Sequence, residues 1–594
     1  MKVLLSGNEA IARGAFEADV KIATAYPGTP STEILETIAM EYKNIYSEWS
    51  PNEKVAFEVA TGASMAGARC LVAMKHVGLN VAADPYMTFA YTGVKGGFIV
   101  ISADDPSMHS SQNEQDNRFY AKFAQIPMLE PSDSQDGKDF VKIGLDISEE
   151  YDTPVMLRLV TRISHSKCAV EISDPISKET LGFERDIPKY VMVPGHARLR
   201  RKIVIERLER LKVLSDNTDL NRIEKGRSEV GIITAGISYQ YAKEAFPDAS
   251  YLKLGMPYPL PEKKIREFAK SVDRLFIVEE LEPFIEEQIK AMGIECEGKK
   301  WFTNFGELSS SLVEEGFVKA GVLHKRTIEH TNPEELFPRP PVLCPGCPHR
   351  GVFSVLKKFK VPVTGDIGCY TLGALEPLSS IDSCVCMGAS IGEAIGIAKA
   401  GGAEKGVVAA IGDSTFMHSG ITGLLDASYN KANITVVILD NRTTAMTGGQ
   451  NHPGTGTTLM GEQSFQVDLV KLCEACGVTD IHVVDAYKLD ETREALKSSF
   501  EHQGPSVVIT NRPCALMPRK IKEQPYTVIS DACNGCKLCF RVGCPAIFAS
   551  KELTKKGHPK ALIDPVQCTG CSICAQVCPE NAIVLDETAK VPVR

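Results

Sequence analysis

Apolar runs without polar alternation recur along most of the chain. Those at 22–26, 70–74, 98–102 and 155–159 read as buried strands, with helical patterns between them. Strands of this kind fit a parallel sheet covered on both faces. The alternation returns at 230–235, 251–254 and 274–279. It returns again at 407–411 and 434–439, joined by a helical stretch over 421–429. The pattern predicts an α/β, multidomain chain. Between the first two blocks, Arg198, Arg200, Arg201, Lys202, Glu206, Arg207, Glu209, Arg210 and Lys212 crowd one helical stretch, which reads as a solvated linking helix. Residues 216–225 read as a polar loop after it. Prolines mark a loop at 257–261 and a second linker at 333–341. The domains expected are 1–190, a charged linker over 191–228, a smaller α/β unit over 229–332, a third α/β block over 333–524, and 525–594.

The last block is of another kind. Cys533, Cys536, Cys539 and Cys544-Pro545 form one run, and Cys568, Cys571, Cys574 and Cys578-Pro579 a second. The second is C-x₂-C-x₂-C-x₃-C-P, the run that binds [4Fe-4S] clusters in bacterial ferredoxins. The first has one extra residue before its last cysteine. In such two-cluster domains the fourth cysteine of each run ligates the other cluster. The expected sets are therefore Cys533, Cys536, Cys539, Cys578 and Cys568, Cys571, Cys574, Cys544. Eight cysteines in two runs, each closed by proline, favour iron–sulfur over zinc.

Composition narrows the setting. The 594 residues suggest about four domains. With 43% hydrophobic and 24% charged residues, each domain can bury a core. A net charge of −9 and no basic stripe argue against nucleic acid or an anionic membrane as partner. The N-terminus lacks the apolar core of a signal peptide, and no apolar run is long enough to span a bilayer. A cytoplasmic protein is expected. Nineteen cysteines in that compartment point to metal rather than disulfides.

Candidate chemistry sits at strand ends, where open parallel sheets bind ligands. Gly412-Asp413-Ser414 follows the run at 407–411, and Asp440-Asn441 closes the run at 434–439. A carboxylate from Asp413 and an amide oxygen from Asn441 suit Mg²⁺ holding a diphosphate. Gly412 would let the backbone approach a phosphate. Two loops rich in small and polar residues follow other strand ends, at 26–33, where Ser31 reads as an N-cap, and at 103–113. Glu58 lies in a helical segment of small and apolar residues, which predicts a buried acid with a raised pKa. Cys344-Pro345-Gly346-Cys347 opens the third block, Gly368-Cys369 follows a strand end there, and Gly388 and Gly392 space a helix.

The Gly-Asp-Ser…Asn spacing resembles the metal–diphosphate motif of thiamine diphosphate enzymes, with Ser414 in place of the second glycine. Over essentially its whole length the chain resembles the 2-oxoacid:ferredoxin oxidoreductases, and among them the α subunits of the indolepyruvate type. The resemblance rests on the 26–33 and 103–117 loops, on 344–350, on Gly412 to Ser414 with Asn441, and on the eight C-terminal cysteines. It implies a pyrimidine-binding domain over 1–190, a transketolase-C-like domain over 229–332 and a diphosphate-binding domain over 333–524. It implies thiamine diphosphate, Mg²⁺, two [4Fe-4S] clusters, coenzyme A, ferredoxin, aryl pyruvate substrates and a smaller β subunit in an α₂β₂ enzyme. Carried over by position, Asp413, Asn441 and the carbonyl of Thr443 would hold the metal. Glu58 would contact the aminopyrimidine, and Thr29 matches a substrate-side threonine. Pyruvate-type relatives bind a third cluster through cysteines placed like Cys344, Cys347, Cys369 and Cys514; buried thiols are the alternative here. A pyruvate or phenylglyoxylate specificity, or a non-catalytic electron carrier, stays open at this point.

Overall fold

The computed structural model describes residues 1–324, 340–402, 405–517 and 523–589. The chain divides into two compact units, Met1–Thr331 and Asn332–Arg594. The expected linker at 333–341 lies, except for its last two residues, outside the described residues.

In the first unit, β1 (Lys2–Ser6) and β8 (Lys167–Glu171) form an antiparallel ribbon. Between them run β2 (Ile22–Ala25), β3 (Tyr46–Trp49), β4 (Cys70–Lys75), β5 (Phe98–Asp104), β6 (Met128–Leu129) and β7 (Val155–Val160). These six make one parallel sheet of order β3-β2-β4-β5-β7-β6. The strands expected from the apolar runs are present. The short edge strands β3 and β6 were not expected, because edges need no continuous apolar run. Successive strands are added in opposite directions on either side of the β2/β4 pair, so the loops leaving these strands flank a switch point, where ligands bind.

A second sheet holds β9 (Asn221–Glu224), β10 (Arg227–Ala235), β11 (Ala249–Leu254) and β12 (Arg274–Val278), in the order β12-β10-β11-β9. One apolar core runs through both sheets of this unit, from Phe57, Val72 and Phe98 to Ile233, Leu252 and Phe268. The charged stretch between them is solvated on one face only: Arg198, Lys202, Glu206, Glu209, Arg210 and Lys212 are exposed. It forms helix Pro194–Asn217, which buries Arg200, Val204, Arg207 and Leu211. Arg207 donates to the carbonyls of Asp152 and Ala90 at 2.6 and 2.7 Å, and burial pulls its pKa down to about 10. Arg200 pairs with Asp152 at 2.7 Å. Charge density alone did not reveal this buried face, since long cationic side chains cover apolar surface and satisfy buried carbonyls. The polar stretch expected to be a loop at 216–225 supplies the antiparallel edge strand β9.

The second unit begins with helix His349–Phe359 and a sheet of β13 (Val363–Gly365), β14 (Ser383–Cys384), β15 (Val408–Gly412), β16 (Thr435–Asp440), β17 (Asp480–Val484) and β18 (Ser506–Asn511). All pairings are parallel, in the order β14-β13-β15-β16-β18-β17. Helix Ile421–Tyr429 crosses from β15 to β16, as its apolar pattern predicts. The cysteine-rich end is α+β. β19 (Tyr526–Val528) pairs antiparallel with β22 (Ile583–Leu585), and β20 (Ile547–Leu553) with β21 (Pro559–Ile563). Among the described residues no helix is long and apolar enough to cross a membrane.

Candidate functional site

In the second unit the switch point falls between β13 and β15. Asp413 is the first residue after β15 and is 2% exposed. Its Oδ2 accepts the backbone N–H of Arg442 at 3.0 Å and lies 3.2 Å from His452 Nε2. Asn441 and Thr443 are buried beside it, and Asn441 Oδ1 accepts the Thr443 N–H at 3.2 Å. Asn441 Nδ2 approaches His349 Nε2 at 3.4 Å. Burial drives the His349 pKa down to about 4, so this imidazole is neutral. Burial, together with the neighbouring Asp413 charge, lifts Asp440 to about 6. Arg442 pairs with Asp440 at 3.0 Å from a left-handed backbone (φ 61°), a conformation that concentrates at functional sites. Two adjacent buried carboxylates with amide and carbonyl oxygens close by form a donor set that fits a hard cation.

Two further contacts fix the Asp413 turn. A Cβ on Gly412 would stand 2.7 Å from the Tyr370 ring, so that glycine leaves room for Tyr370 against the turn. Ser414 Oγ shares a 2.9 Å hydrogen bond with Thr444 Oγ1, tying the Asp413 turn to the loop after β16. A cavity of about 420 Å³ opens beside Asp413, with Asp440, Arg442, His452, Gln466 and Asn511 on its wall. At the end of β13, Asp366 accepts the N–H groups of Gly388 and Ser390 at 2.8 and 3.2 Å and so fastens the start of helix Ala389–Lys399.

In the first unit Glu58 is not buried. Its side chain is 46% exposed and pairs with Lys54 one helical turn away. The acid that helix Glu53–Met65 buries is Glu53, at 5% exposure. Asn52 caps this helix, accepting from Val55 at 2.9 Å, and so sets Glu53 at its first position. The small residues after Glu58 made it look enclosed, but position 58 faces away from the sheet. Helix His76–Val81, which follows β4, lies against Glu53: a Cβ on Gly78 would meet Glu53 Oε1 at 2.6 Å.

Lys75 closes β4 at the switch point. Its Nζ donates to the Ser110 carbonyl at 2.6 Å, and it makes no ion pair among the described residues. Burial lowers its pKa to about 8, against the pull of Asp105. Its Cβ lies 3.0 Å from where a Gly28 side chain would begin, so Lys75 stands beside the Thr29 loop. Thr29 is partly exposed. Ser31 occupies the expected N-cap position, yet its hydroxyl bonds the Gly28 carbonyl at 3.0 Å instead of the helix. Nearby Arg118 and Arg158 are committed elsewhere. Arg118 pairs with Asp116 and Glu279 at 2.6 Å each, and Arg158 with Asp104 at 2.9 Å and Glu130 at 2.6 Å.

The C-terminal cysteines gather in two groups. Cys533, Cys536, Cys539 and Cys578 line one cavity, with Val528 and Ile583. Cys544, Cys568, Cys571 and Cys574 line another, with Gly346 and Arg350. Each group draws one cysteine from the other run. Cys344, Cys347, Cys369 and Cys514 form a third neighbourhood. Burial, then the neighbouring thiols Cys514 and Cys344, raise the Cys369 pKa to about 11. Burial lifts Cys347 to about 12, and Cys369 and Cys344 add to it. The Cys514 N–H donates to the Asn441 carbonyl at 2.9 Å, so this neighbourhood adjoins the Asp413 site.

Residues 13–203 match the pyruvate flavodoxin/ferredoxin oxidoreductase thiamine-diphosphate-binding family. Residues 366–510 match the C-terminal TPP-binding domain of thiamine pyrophosphate enzymes, and 532–582 the 4Fe-4S dicluster domain. Indolepyruvate oxidoreductase subunit IorA of Archaeoglobus fulgidus is 42% identical, over 98% of this chain and 97% of its own. The IorA subunit of Pyrococcus horikoshii is 44% identical, over 98% and 96%. The chain belongs to the IorA family. A 2-oxoglutarate synthase subunit, KorA of Methanothermobacter marburgensis, is 23% identical over 46% of this chain and 87% of its own. This IorA-family chain is therefore an oxidoreductase of the 2-oxoacid:ferredoxin type that uses thiamine diphosphate and iron–sulfur clusters.

Sequence reasoning missed several residues beside the candidate positions of each unit. Glu53 carried a signal: Asn52-Glu53 is a helix start, and a buried first-turn acid is held there by the helix dipole. Lys75 also carried one, as a lysine directly closing an apolar run. His349 and His452 carried none, because each reaches Asn441 or Asp413 only through the tertiary fold.

Proposed function

We propose that this chain catalyses the oxidative decarboxylation of aryl 2-oxoacids, indolepyruvate and phenylpyruvate, to acyl-coenzyme A and CO₂. The electrons leave singly through [4Fe-4S] clusters to ferredoxin. The observation that carries this reading is the joining, in one compact unit, of the Asp413–Asn441 sheet edge and two four-cysteine cavities. Indolepyruvate follows the names of the IorA relatives, and phenylpyruvate extends the same aryl class.

Bound thiamine diphosphate supplies the electron sink for decarboxylation. In the second unit Asp413, Asn441 and the Thr443 carbonyl hold Mg²⁺ for its diphosphate. Neutral His349 orients the Asn441 amide. In the first unit Glu53, rather than Glu58, holds the proton at N1′ of the aminopyrimidine. Its enclosure under Gly78 excludes water from that carboxyl. Thr29 and Lys75 receive the carboxylate of the oxoacid. Lys75 is suited because its ammonium, unlike the Arg118 and Arg158 guanidiniums, makes no ion pair with a carboxylate among the described residues.

Cys533, Cys536, Cys539 and Cys578 ligate one cluster, and Cys544, Cys568, Cys571 and Cys574 the other. Cys344, Cys347, Cys369 and Cys514 ligate a third, next to the cofactor. A smaller β subunit completes a cytoplasmic α₂β₂ enzyme. Turnover of indolepyruvate, phenylpyruvate and pyruvate by the anaerobic complex, with coenzyme A and ferredoxin, tests this reading. The aryl pyruvates should give the higher kcat/KM, and acyl-coenzyme A should form with CO₂. Faster turnover of pyruvate overturns the substrate, and absence of bound thiamine diphosphate overturns the chemistry.

A further inference from the structure

Arg350 is 3% exposed at the start of helix His349–Phe359. Among the described residues its guanidinium donates only to backbone carbonyls. Nε reaches Cys344 O at 3.2 Å, Nη1 reaches Val542 O at 3.2 Å and also Gly543 O, and Nη2 reaches Leu343 O. Arg350 makes no ion pair with a carboxylate among the described residues. The charges it feels are sulfur: Cys544, Cys347, Cys571 and Cys344. It also forms part of the wall of the cavity that Cys544, Cys568, Cys571 and Cys574 line.

The surroundings hold it there. Gly346 has a left-handed backbone (φ 69°), and a Cβ on it would strike Thr569 Oγ1, so the 344–347 turn is pressed against the second cysteine run. Tyr487 OH donates to Gly346 O at 2.6 Å, and Gln576 Nε2 to Tyr487 O at 2.7 Å. The extra residue of the first run falls between Cys539 and Cys544. That segment presents the Val542 and Gly543 carbonyls to Arg350.

A buried guanidinium satisfied only by carbonyls keeps its full charge in a low-dielectric place and calls for an anion. A [4Fe-4S] cluster with its four thiolates is such an anion, and it gains another negative charge on reduction. A fixed cation on its wall favours the reduced form, because net charge and local polarity set cluster potentials. We propose that Arg350 sets the reduction potential of the cluster held by Cys544, Cys568, Cys571 and Cys574, making it the easier of the two ferredoxin-type clusters to reduce. This rests on the cluster assignment above. It makes Arg350 a positioning and charge-balancing residue, not a catalytic one.

The test is a potentiometric titration of the anaerobic holoenzyme, followed by electron paramagnetic resonance, with iron counted in each sample. In Arg350→Gln the reduced-to-oxidised ratio of the cluster of Cys544, Cys568, Cys571 and Cys574 at fixed potential should fall by about tenfold, the order expected for losing a unit charge nearby. The cluster of Cys533, Cys536, Cys539 and Cys578 should stay where it was. Arg350→Lys keeps the charge but not the fork of carbonyl contacts, so it should lower thermal stability while leaving the potential near wild type. If Arg350→Gln keeps full iron with both potentials unchanged, Arg350 only fastens the turn. If Arg350→Gln loses iron, Arg350→Lys decides: a potential near wild type supports the proposal, and a potential shifted despite the retained charge overturns it. Little iron in the wild-type chain defeats the cluster assignment itself, a separate failure.

Discussion

The two six-stranded sheets share one strand order. Numbered by appearance, each runs second, first, third, fourth, sixth, fifth. Their fourth strands both end on a buried aspartate held by an arginine, Asp104 with Arg158 at 2.9 Å and Asp440 with Arg442 at 3.0 Å. Yet the ends of their third strands carry opposite charge. Strand β4 ends on Lys75, whereas β15 leads directly into Asp413. One frame therefore ends on a cation, which fits the proposed substrate carboxylate, and the other on an anion, which fits the proposed metal ion. Topology fixes where chemistry happens, and a residue or two at the strand end fixes which chemistry.

The substitution expected to break this comparison most severely is Asp413→Ala. It should remove Mg²⁺ and bound thiamine diphosphate and lower turnover by about 10³-fold or more, since it deletes a proposed metal ligand. Cofactor content of the purified complex checks the cause. On the other sheet Glu53→Gln should retain cofactor and iron but lose about 10²-fold in kcat, the scale of an acid–base contribution. Glu58→Gln, on the exposed side of the same helix, should stay within a few-fold of wild type. The reverse pattern would return the role to Glu58.

Lys75→Met should raise KM for the oxoacid about tenfold, as expected for one lost charge-assisted hydrogen bond, and leave kcat nearly unchanged. The pH dependence sharpens this. Burial depresses the Lys75 pKa to about 8, so its charge is present below pH 8 and lost above it. KM should climb as pH passes 8 in the wild type, and stay flat there in Lys75→Met. Lys75→Arg should restore low KM at high pH. A wild-type KM that is level from pH 7 to 9 would remove Lys75 from the substrate site.

Much of this was legible in sequence because local rules dominate where the core is continuous. The runs at 70–74, 98–102 and 434–439 are buried on both faces, so they could be little but central strands. The cysteine runs were legible because cluster ligands need fixed short spacings. Glu58 misled because residues beside an acid in sequence do not enclose it in a helix. Its surroundings are set three and four positions away, by Lys54, and the buried face belongs to Glu53, Ala56, Phe57 and Ala60. The helix Pro194–Asn217 hid its buried face for a related reason, since Arg200 and Arg207 bury their stems against carbonyls that no linear pattern reveals. His452 beside Asp413 and Arg350 beside Cys544 depend on chain segments far apart in sequence, and only the assembled sheet brings them together.

The central claim is that oxidation of a 2-oxoacid at the Asp413 edge feeds the cysteine-bound clusters. Rapid mixing of the anaerobic holoenzyme with indolepyruvate, without ferredoxin, followed by freezing and electron paramagnetic resonance, addresses it directly. Reduced-cluster signals should develop within one turnover in the wild type. They should be absent in Asp413→Ala, although dithionite still reduces the same clusters in that variant. Equal cluster reduction by indolepyruvate in Asp413→Ala, or none in a wild type loaded with thiamine diphosphate and full iron, would contradict the account.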